Sequence, residues 1–290
     1  MKIGLTAYNV HALEFQELAR AADAAGFDSL WLGEHVILPV GFSTPHPTTQ
    51  HEGEQHHAGP IIDPATELVD PLVQLGAAAA VTSRLRLATG IYILPLRHPL
   101  ATARSACTVQ ELATGRLMLG VGFGWLAEEF VALDQPFDER ISRFEESIAV
   151  LRVAWGGGEL THRGNHFSIS GVQVTKRPTV IPLILGGNSD NALRRAARLG
   201  DGWFSSGTPS FDEAVRLRTK LHQLHEDTGS GRSFELVFRM EGCDPAVARR
   251  YEDAGFENVV IWTDQVWPEQ RSLTGKREAM FEAAGQLLDR

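Results

Sequence analysis

One stretch of the chain organises the rest of the sequence, and it reads Thr89-Gly90-Ile91-Tyr92-Ile93-Leu94-Pro95-Leu96-Arg97-His98-Pro99. The residues before it, 85–88, alternate leucine with another residue, as a β-strand does. The residues after it, 100–113, have the composition of a helix. A glycine at the C-terminal end of a strand is typical of a sharp backbone bend or of close approach to a flat ligand. The stretch therefore predicts a strand, a bend and then a helix.

The remainder of the chain repeats this order of strand and helix. Strands are predicted at 2–9, 29–33, 85–93, 117–121, 181–185, 202–205, 234–240 and 258–262. Helices are predicted at 12–25, 66–80, 99–113, 138–155 (with Asp138 as its cap), 189–199, 211–227, 245–254 and 276–288. Eight strands in strict alternation with helices predict parallel strands with right-handed crossovers, and hence an α/β fold of the (β/α)8 TIM barrel type. An open doubly wound sheet is the alternative, but no Gly-x-Gly-x-x-Gly follows the first strand.

Two segments interrupt this alternation. Residues 156–175 are glycine-rich and β-prone, which predicts an inserted hairpin. Residues 36–64 are polar, and we interpret them as a lid loop on the substrate side. This loop contains four histidines, a number that raises the hypothesis of a metal site: His46, His51, His56 and His57. No paired-histidine motif ends the first strand, so a histidine-rich lid without metal is favoured.

Composition limits the classes of partner. The formal net charge of −9 argues against a broad nucleic-acid surface, so an anionic ligand needs a local pocket of donors. No apolar run reaches the length of a membrane span. The chain has two cysteines in no metal or redox spacing, and no signal peptide precedes the first predicted strand. We therefore expect a cytoplasmic protein that acts on a small molecule.

In barrels of this type the active site lies at the C-terminal ends of the strands. Glu34 and His35 follow the second predicted strand, and a histidine there can move a proton or can be purely structural. The segment Gly186-Gly187-Asn188-Ser189 precedes a helix, which suits either a phosphate cradle or an ordinary glycine turn. The segment Gly122-Phe123-Gly124-Trp125 suits either contact with a planar ring or a tight turn.

These segments together resemble the luciferase-like monooxygenase superfamily, and within it the oxidoreductases that use the deazaflavin coenzyme F420. The resemblance covers nearly the whole chain, and its most specific parts are residues 30–35, 88–99, 115–125, 186–189 and 197–203. It implies a single barrel domain over residues 1–290 with an insertion after the fourth βα unit, which suits residues 156–175. Homodimers are common among such proteins.

The resemblance also assigns roles to residues. It implies a non-prolyl cis peptide bond between Gly90 and Ile91, against the central ring of the cofactor. It places Glu34 where an acidic residue contacts the ring system, and His35 where sugar-phosphate dehydrogenases of the family have their proton donor. Trp125 stands where those dehydrogenases place a glutamate base, which argues against the sugar-phosphate reaction.

Further positions match the cofactor-binding residues of the family. Those expected near the ring are Gly90, Ile91, Gly122, Phe123 and Gly124, and those expected at the phosphate end are Gly187, Asn188, Ser189, Asn191 and Trp203. Glu128 stands where the sugar-phosphate dehydrogenases use an asparagine near the cofactor. The contact that this asparagine makes is therefore not expected here.

The resemblance implies hydride transfer between coenzyme F420 and a small organic substrate. Two alternatives share the same fold. One is a monooxygenase that uses reduced FMN and O2, and the other is a flavin-binding barrel without catalytic activity. A metal-dependent hydrolase is a more distant alternative. The sequence does not identify the substrate, because no motif in the lid or the insertion specifies one.

Overall fold

The computed structural model describes residues 1–45 and 66–288. The strands in these ranges are β1 (Lys2–Ala7), β2 (Ser29–Leu32), β3 (Arg86–Thr89), β4 (Tyr92–Ile93), β5 (Leu117–Gly122), β6 (Leu160–Arg163), β7 (Ser168–Val172), β8 (Leu183–Gly186), β9 (Gly202–Phe204), β10 (Glu235–Arg239) and β11 (Asn258–Trp262). The helices are α1 (Ala12–Ala25), α2 (Pro71–Ala79), α3 (Pro99–Leu112), α4 (Ala127–Ala132), α5 (Arg140–Trp155), α6 (Asp190–Leu199), α7 (Phe211–Glu226), α8 (Pro245–Asp253) and α9 (Leu273–Leu287).

Eight parallel strands close into a barrel. The strand order is β3-β2-β1-β11-β10-β9-β8-β5-β4, and an additional pairing of β3 with β5 completes the ring. The helices alternate with the strands along the chain and pack outside them, as a (β/α)8 barrel requires. The predicted fold is therefore confirmed.

The third barrel strand is interrupted where the sequence predicts one continuous strand over 85–93. It runs as β3 to Thr89 and resumes as β4 at Tyr92. Between them the Gly90–Ile91 peptide bond is cis, as the family resemblance implies. We call residues 90 and 91 the bulge. It lies at the barrel mouth, the end of the barrel where the strands have their C-termini.

Side chains that alternate along the strands form two separate cores. Those that point inward make a compact apolar cluster inside the barrel, formed by Trp31, Ala88, Met118, Ile184, Phe204, Val237 and Val260. Within it the rings of Trp31 and Phe204 stack with centroids 4.6 Å apart. The alternate residues, such as Leu30 and Leu87, belong to the larger core between strands and helices. Because the barrel interior is packed, a ligand site is available only above this cluster, at the mouth.

The predicted insertion is confirmed as an antiparallel pair of strands, β6 and β7, that follows the fourth βα unit. Glu146 on α5 holds this hairpin. One carboxylate oxygen accepts a hydrogen bond from the Phe167 amide at 2.8 Å and contacts His162 Nε2 at 3.0 Å, and the other accepts one from the His166 amide at 2.9 Å. The hairpin is thereby fixed to the outer layer of helices.

Two helix starts differ from the predictions. Helix α2 begins at Pro71 and not at residue 66, because the Asp70 side chain accepts a hydrogen bond from the Val73 amide at 3.0 Å and caps the helix there. Helix α5 begins at Arg140, so Asp138 is not its cap as predicted. None of the helices within residues 1–45 and 66–288 has both the length and the apolar character needed to cross a bilayer.

Candidate active site

Three glycines of the barrel wall make room for the bulge. A β-carbon at Gly120 would overlap the Thr89 carbonyl oxygen, and one at Gly122 would overlap Cδ1 of Ile91. A β-carbon at Gly186 would lie 3.2 Å from that same Cδ1. The space that Gly122 leaves is thus filled by Ile91, so this glycine faces the bulge and not the open mouth.

The bulge rests on the packed interior of the barrel. A β-carbon at Gly90 would lie 3.2 Å from Cβ of Trp31 and 3.6 Å from Cζ of Phe204. Ile91 packs against the inner apolar cluster and remains partly exposed. The bulge is therefore supported from below and presents its upper surface to the mouth.

The other two predicted ring contacts lie beside the bulge and not on it. Gly124 has a φ of +76°, and its position is pressed between Ile93 and Phe130. Phe123 is half-buried against the outer core, with its ring 6.1 Å from that of Phe144. These two residues shape the turn after β5.

Glu34 holds the segment that follows the bulge. Its carboxylate accepts a hydrogen bond from the Ile93 amide at 2.6 Å, and its two oxygens each accept one from Arg97 at 2.9 Å. The guanidinium of Arg97 also lies over the Tyr92 ring at 4.2 Å. Burial raises the pKa of the Glu34 carboxyl, although Arg97 opposes this shift. Burial favours a lower pKa for Arg97, but the facing Glu34 carboxylate outweighs it, so the pKa of Arg97 is raised. The pair fixes the backbone of β4.

His35 is paired with a carboxylate that the sequence analysis missed. Its Nδ1 lies 3.1 Å from Oε2 of Glu129, on α4, and the two side chains are 5% and 0% exposed. The second oxygen of Glu129 accepts hydrogen bonds from the amides of Val36 and Ile37. A neutral imidazole that donates from Nδ1 keeps a lone pair on Nε2. Among the described residues, Nε2 has no hydrogen-bond partner.

Two aromatic rings flank the imidazole of His35 edge-on. The ring of Tyr8 lies 6.2 Å away and that of Trp125 lies 5.8 Å away. Burial, and after it the Glu129 carboxylate, raises the pKa of Tyr8, so the phenol stays protonated at neutral pH. The imidazole of His35 is therefore flanked on two sides, and Trp125 forms a wall of the mouth.

Glu128 faces away from the dyad and binds the start of the lid. Its carboxylate accepts hydrogen bonds from the Ser43 amide at 2.6 Å and from the Thr44 hydroxyl at 2.7 Å. These hydrogen bonds lower the pKa of Glu128 to about 2. Only residues 36–45 of the predicted lid are described, so the rest of it and its four histidines lie outside the described residues.

The expected phosphate cradle is a turn between β8 and α6. Gly187 has a φ of +109°, and Ser189 caps α6 through its hydroxyl. The side-chain amide of Asn188 donates to the Ser206 carbonyl at 2.7 Å and accepts from the Ser206 amide at 2.9 Å. Trp203 is fully buried and donates from Nε1 to the Gly187 carbonyl at 2.7 Å.

These contacts distinguish residues that form the turn from residues that could donate hydrogen bonds to a ligand. Asn188 and Trp203 form the turn from behind. The amides of the first turn of α6, the Ser189 hydroxyl and the exposed Asn191 remain at its open side. A helix N-terminus with such groups suits an anion.

Arg239 is a second residue that the sequence analysis passed over. It ends β10, it is 5% exposed, and its Nη1 donates to the Gly207 carbonyl at 2.6 Å. Its guanidinium lies 4.2 Å from the centroid of the Trp262 ring and 5.4 Å from that of Phe204. Burial lowers the pKa of Arg239 to about 9, so the group is still cationic at neutral pH.

The two missed residues differ in the signal that could have found them. Glu129 follows the glycine-rich end of β5 by a few residues, and a search for carboxylates behind each strand end would have included it. Arg239 stands at the end of a predicted strand, but only the structure shows that none of the described carboxylates pairs with it. Among the residues that the structure describes, no group of three or more His, Cys, Asp or Glu side chains is arranged to hold a metal ion.

Comparison with known proteins identifies the family. Residues 3–240 match the family model of luciferase-like monooxygenases. An F420-dependent glucose-6-phosphate dehydrogenase from Beutenbergia cavernae is 35% identical over 243 residues, which cover 80% of this chain and 64% of that protein.

Solved structures share the fold over the whole chain. Monooxygenase RslO1 from Streptomyces bottropensis has a TM-score of 0.77 at 19% identity, and coenzyme F420 dependent tetrahydromethanopterin reductase from Methanopyrus kandleri has a TM-score of 0.72 at 15% identity. Each match covers 100% of this chain and 99% of the other. With most of its length matched by the family model, the chain belongs to the luciferase-like monooxygenase family.

Proposed function

We propose that this protein is an oxidoreductase that transfers hydride between coenzyme F420 and a small organic substrate. The observation that carries the proposal is the buried pair of His35 and Glu129, at 3.1 Å. His35 follows Glu34 in the chain, and Glu34 binds the backbone just beyond the bulge. A proton-transfer group thus stands next to the surface expected to support a flat ring.

The residues at the mouth fit a deazaflavin. The upper surface of Gly90 and Ile91 would support the ring, and the helix N-terminus at Ser189 and Asn191 would hold its anionic tail. When bound, the cofactor supplies the carbon that accepts or donates the hydride. The relative from Beutenbergia cavernae, whose name includes F420 dependence, supports this choice of cofactor.

His35 would handle the proton that accompanies the hydride. With Nδ1 donating to Glu129, Nε2 can take the proton of a substrate hydroxyl during oxidation. In the reverse direction the imidazolium returns that proton to a substrate carbonyl oxygen. Glu129 keeps the ring in one orientation and stabilises the charged form, and burial excludes bulk water from both groups.

The substrate would differ from a sugar phosphate. Trp125, and not a carboxylate, stands 5.8 Å from His35 where the resemblance places a glutamate base. An indole has no proton-accepting group, so the acid–base chemistry of this site would depend on His35 alone.

Turnover measurements under two conditions test the proposal. Without oxygen, purified protein with F420 and a panel of small alcohols, aldehydes and ketones should give a substrate-dependent change in deazaflavin absorbance. The His35→Ala variant should bind F420 but lose this change. The second candidate is an FMN-dependent monooxygenase, because a protein named as a monooxygenase, RslO1, has the same fold. Oxygen uptake with reduced FMN, together with no turnover of F420, would overturn the proposal in its favour.

A further inference from the structure

We propose that Arg239 binds the anionic group of the substrate, so that the substrate class is small organic oxyanions such as carboxylates, sulfonates or phosphates. This inference deepens the proposed function and rests on it. Its basis is a buried cation at the barrel mouth that no described carboxylate neutralises.

The strand pattern places Arg239 inside the barrel. Two residues earlier on β10, Val237 belongs to the inner apolar cluster. In the parallel pairing with β11, Arg239 is level with Val260, which belongs to the same cluster. Because side chains alternate between the two faces of a strand, Arg239 points inward, one layer above Val237. That layer is the floor of the mouth.

The surroundings of Arg239 fix its position but do not provide acceptors for all of its N–H groups. Its backbone amide donates to Oγ of Ser205 at 2.8 Å, and its Nη1 donates to the Gly207 carbonyl. The Trp262 ring, 4.2 Å away, supports the plane of the guanidinium. Nε is buried and has no hydrogen-bond acceptor among the residues that the structure describes. The edge formed by Nε and Nη2 is the side of a guanidinium that matches the two oxygens of a carboxylate or phosphate.

Two half-buried arginines of this barrel have acidic partners. Arg86, at the opposite end of the barrel, pairs with Asp28 and Glu235, and Arg97 pairs with Glu34. Within residues 1–45 and 66–288, no carboxylate lies within 4.0 Å of Arg239, and burial alone shifts its pKa. A buried charge without a partner destabilises a fold, so such a group is expected where a ligand supplies the opposite charge.

The position favours the substrate over the cofactor as the source of that charge. The expected site for the cofactor tail is the N-terminus of α6, at Ser189. Arg239 instead lies 5.4 Å from the Phe204 ring, and that same ring supports Gly90 of the bulge. A substrate bound over the bulge would therefore have Phe204 between the bulge and Arg239 below it, and its anionic group would be directed toward Arg239.

Calorimetric titration of F420-loaded protein with sodium acetate, sulfate or phosphate at constant ionic strength tests the inference. At least one of these oxyanions should bind the wild type with a Kd in roughly the millimolar range. Arg239→Met should weaken this binding about tenfold or more, and Arg239→Lys should weaken it less, because lysine keeps the charge but not the fork. In Arg239→Met the Kd of F420 should change by less than about twofold. Loss of a charged hydrogen bond to the cofactor would raise this Kd by more than that.

A control variant removes an exposed arginine that also lies over an aromatic ring. Arg250, on α8, stacks on the Phe211 ring at 3.7 Å and is 55% exposed. Arg250→Met should leave oxyanion binding unchanged. Thermal unfolding of each variant verifies that it is folded. If Arg239→Met does not fold, the oxyanion affinity of Arg239→Lys is compared with that of the wild type instead, and an equal affinity overturns the inference.

Three results are decisive. Equal oxyanion binding by the wild type and Arg239→Met overturns the inference. The inference is also overturned if Arg239→Met binds F420 more weakly and the F420-loaded wild type binds no oxyanion. Arg239 would then bind the cofactor and not the substrate. If F420 does not bind at all, the proposed function fails on its own. In that case the same oxyanion titration is done on protein without F420. Weaker oxyanion binding by Arg239→Met than by the wild type supports the anion site, and equal binding by the two refutes it.

Discussion

Glu129 controls the chemistry of His35 because it is the imidazole's hydrogen-bond partner. A carboxylate accepts only, so the proton of a neutral imidazole stays on Nδ1 and the lone pair stays on Nε2. Val36 and Ile37 amides hold the other oxygen. Activity should therefore depend on this carboxylate even though it need not touch the substrate.

Glu129→Gln tests this dependence with almost no change of shape. The amide of glutamine can donate to Nδ1 and so favours the other tautomer, in which Nε2 carries the proton. We expect kcat to fall by about 100-fold or more while the Kd of F420 stays the same. The matched change Glu111→Gln, on the exposed side of α3, should leave kcat as it is. An unchanged kcat in Glu129→Gln would show that His35 does not act in proton transfer.

Arg239→Met should stabilise the ligand-free protein. Replacing a buried guanidinium that has no carboxylate partner among the described residues with an apolar side chain of similar length removes a desolvation cost, and we expect the free energy of unfolding to rise by about 1–4 kcal/mol. Arg86→Met should have the opposite effect, because it leaves Asp28 and Glu235 without their partner. Urea denaturation of both variants measures these changes. A loss of stability in Arg239→Met would mean that the guanidinium is a structural group.

At the scale of elements, the fit between β5 and the bulge determines the shape of the mouth. A β-carbon at Gly122 would overlap Cδ1 of Ile91, so Gly122→Ala should displace that side chain. We expect a loss of about 1–3 kcal/mol in stability and weaker cofactor binding. Urea denaturation and fluorescence titration measure the two effects.

The double variant Gly122→Ala/Ile91→Val provides the control. Valine lacks the δ-carbon that the new methyl group meets, so stability should recover in the pair. Failure of this rescue would show that Gly122 is needed for some other reason.

The attachment of the lid to α4 should persist into acid. Hydrogen bonds from Ser43 and Thr44 lower the pKa of Glu128 to about 2 from an ordinary value of 4.5. A carboxyl with a lowered pKa in the folded state contributes stability that is complete above its ordinary pKa and is lost as the pH falls through the lowered one. NMR titration of the Glu128 carboxyl carbon, assigned with Glu128→Gln, should give a midpoint near 2. A midpoint near 4.5 would contradict this contact.

The elements were predictable to different degrees for physical reasons. Barrel strands are short apolar runs between glycines and helices, so their number and order could be predicted. Helix α4 has six residues, too few to show a helical period, and it was not predicted. Because Glu129 lies on that helix, the partner of His35 was missed with it. The cis bond at Gly90 was expected only through the family resemblance, since no local pattern distinguishes it.

The site residues were also predictable to different degrees. His35 stands directly behind a strand, where barrel geometry points to function. Asn188 and Trp203 were expected at the phosphate end, and the structure gives both a shaping role, because their polar groups bind Ser206 and Gly187. Whether a side chain is free for a ligand depends on tertiary contacts, and the sequence does not contain these explicitly.

At the scale of the whole molecule, a barrel packed from within leaves one end for chemistry. The inner cluster supports the bulge, the dyad of His35 and Glu129 lies beside it, and a helix N-terminus is available for an anionic tail. This arrangement suits a planar cofactor with an anionic extension, which both deazaflavins and FMN provide. The proposal of hydride transfer therefore depends on which of the two the protein binds.

Equilibrium fluorescence titration of the purified protein with F420 and with FMN tests this most directly. We expect F420 to bind with a Kd of about 1 μM or below, on the order of −8 kcal/mol, and FMN to bind at least about tenfold more weakly. Tight binding of FMN with no measurable binding of F420 would contradict the account.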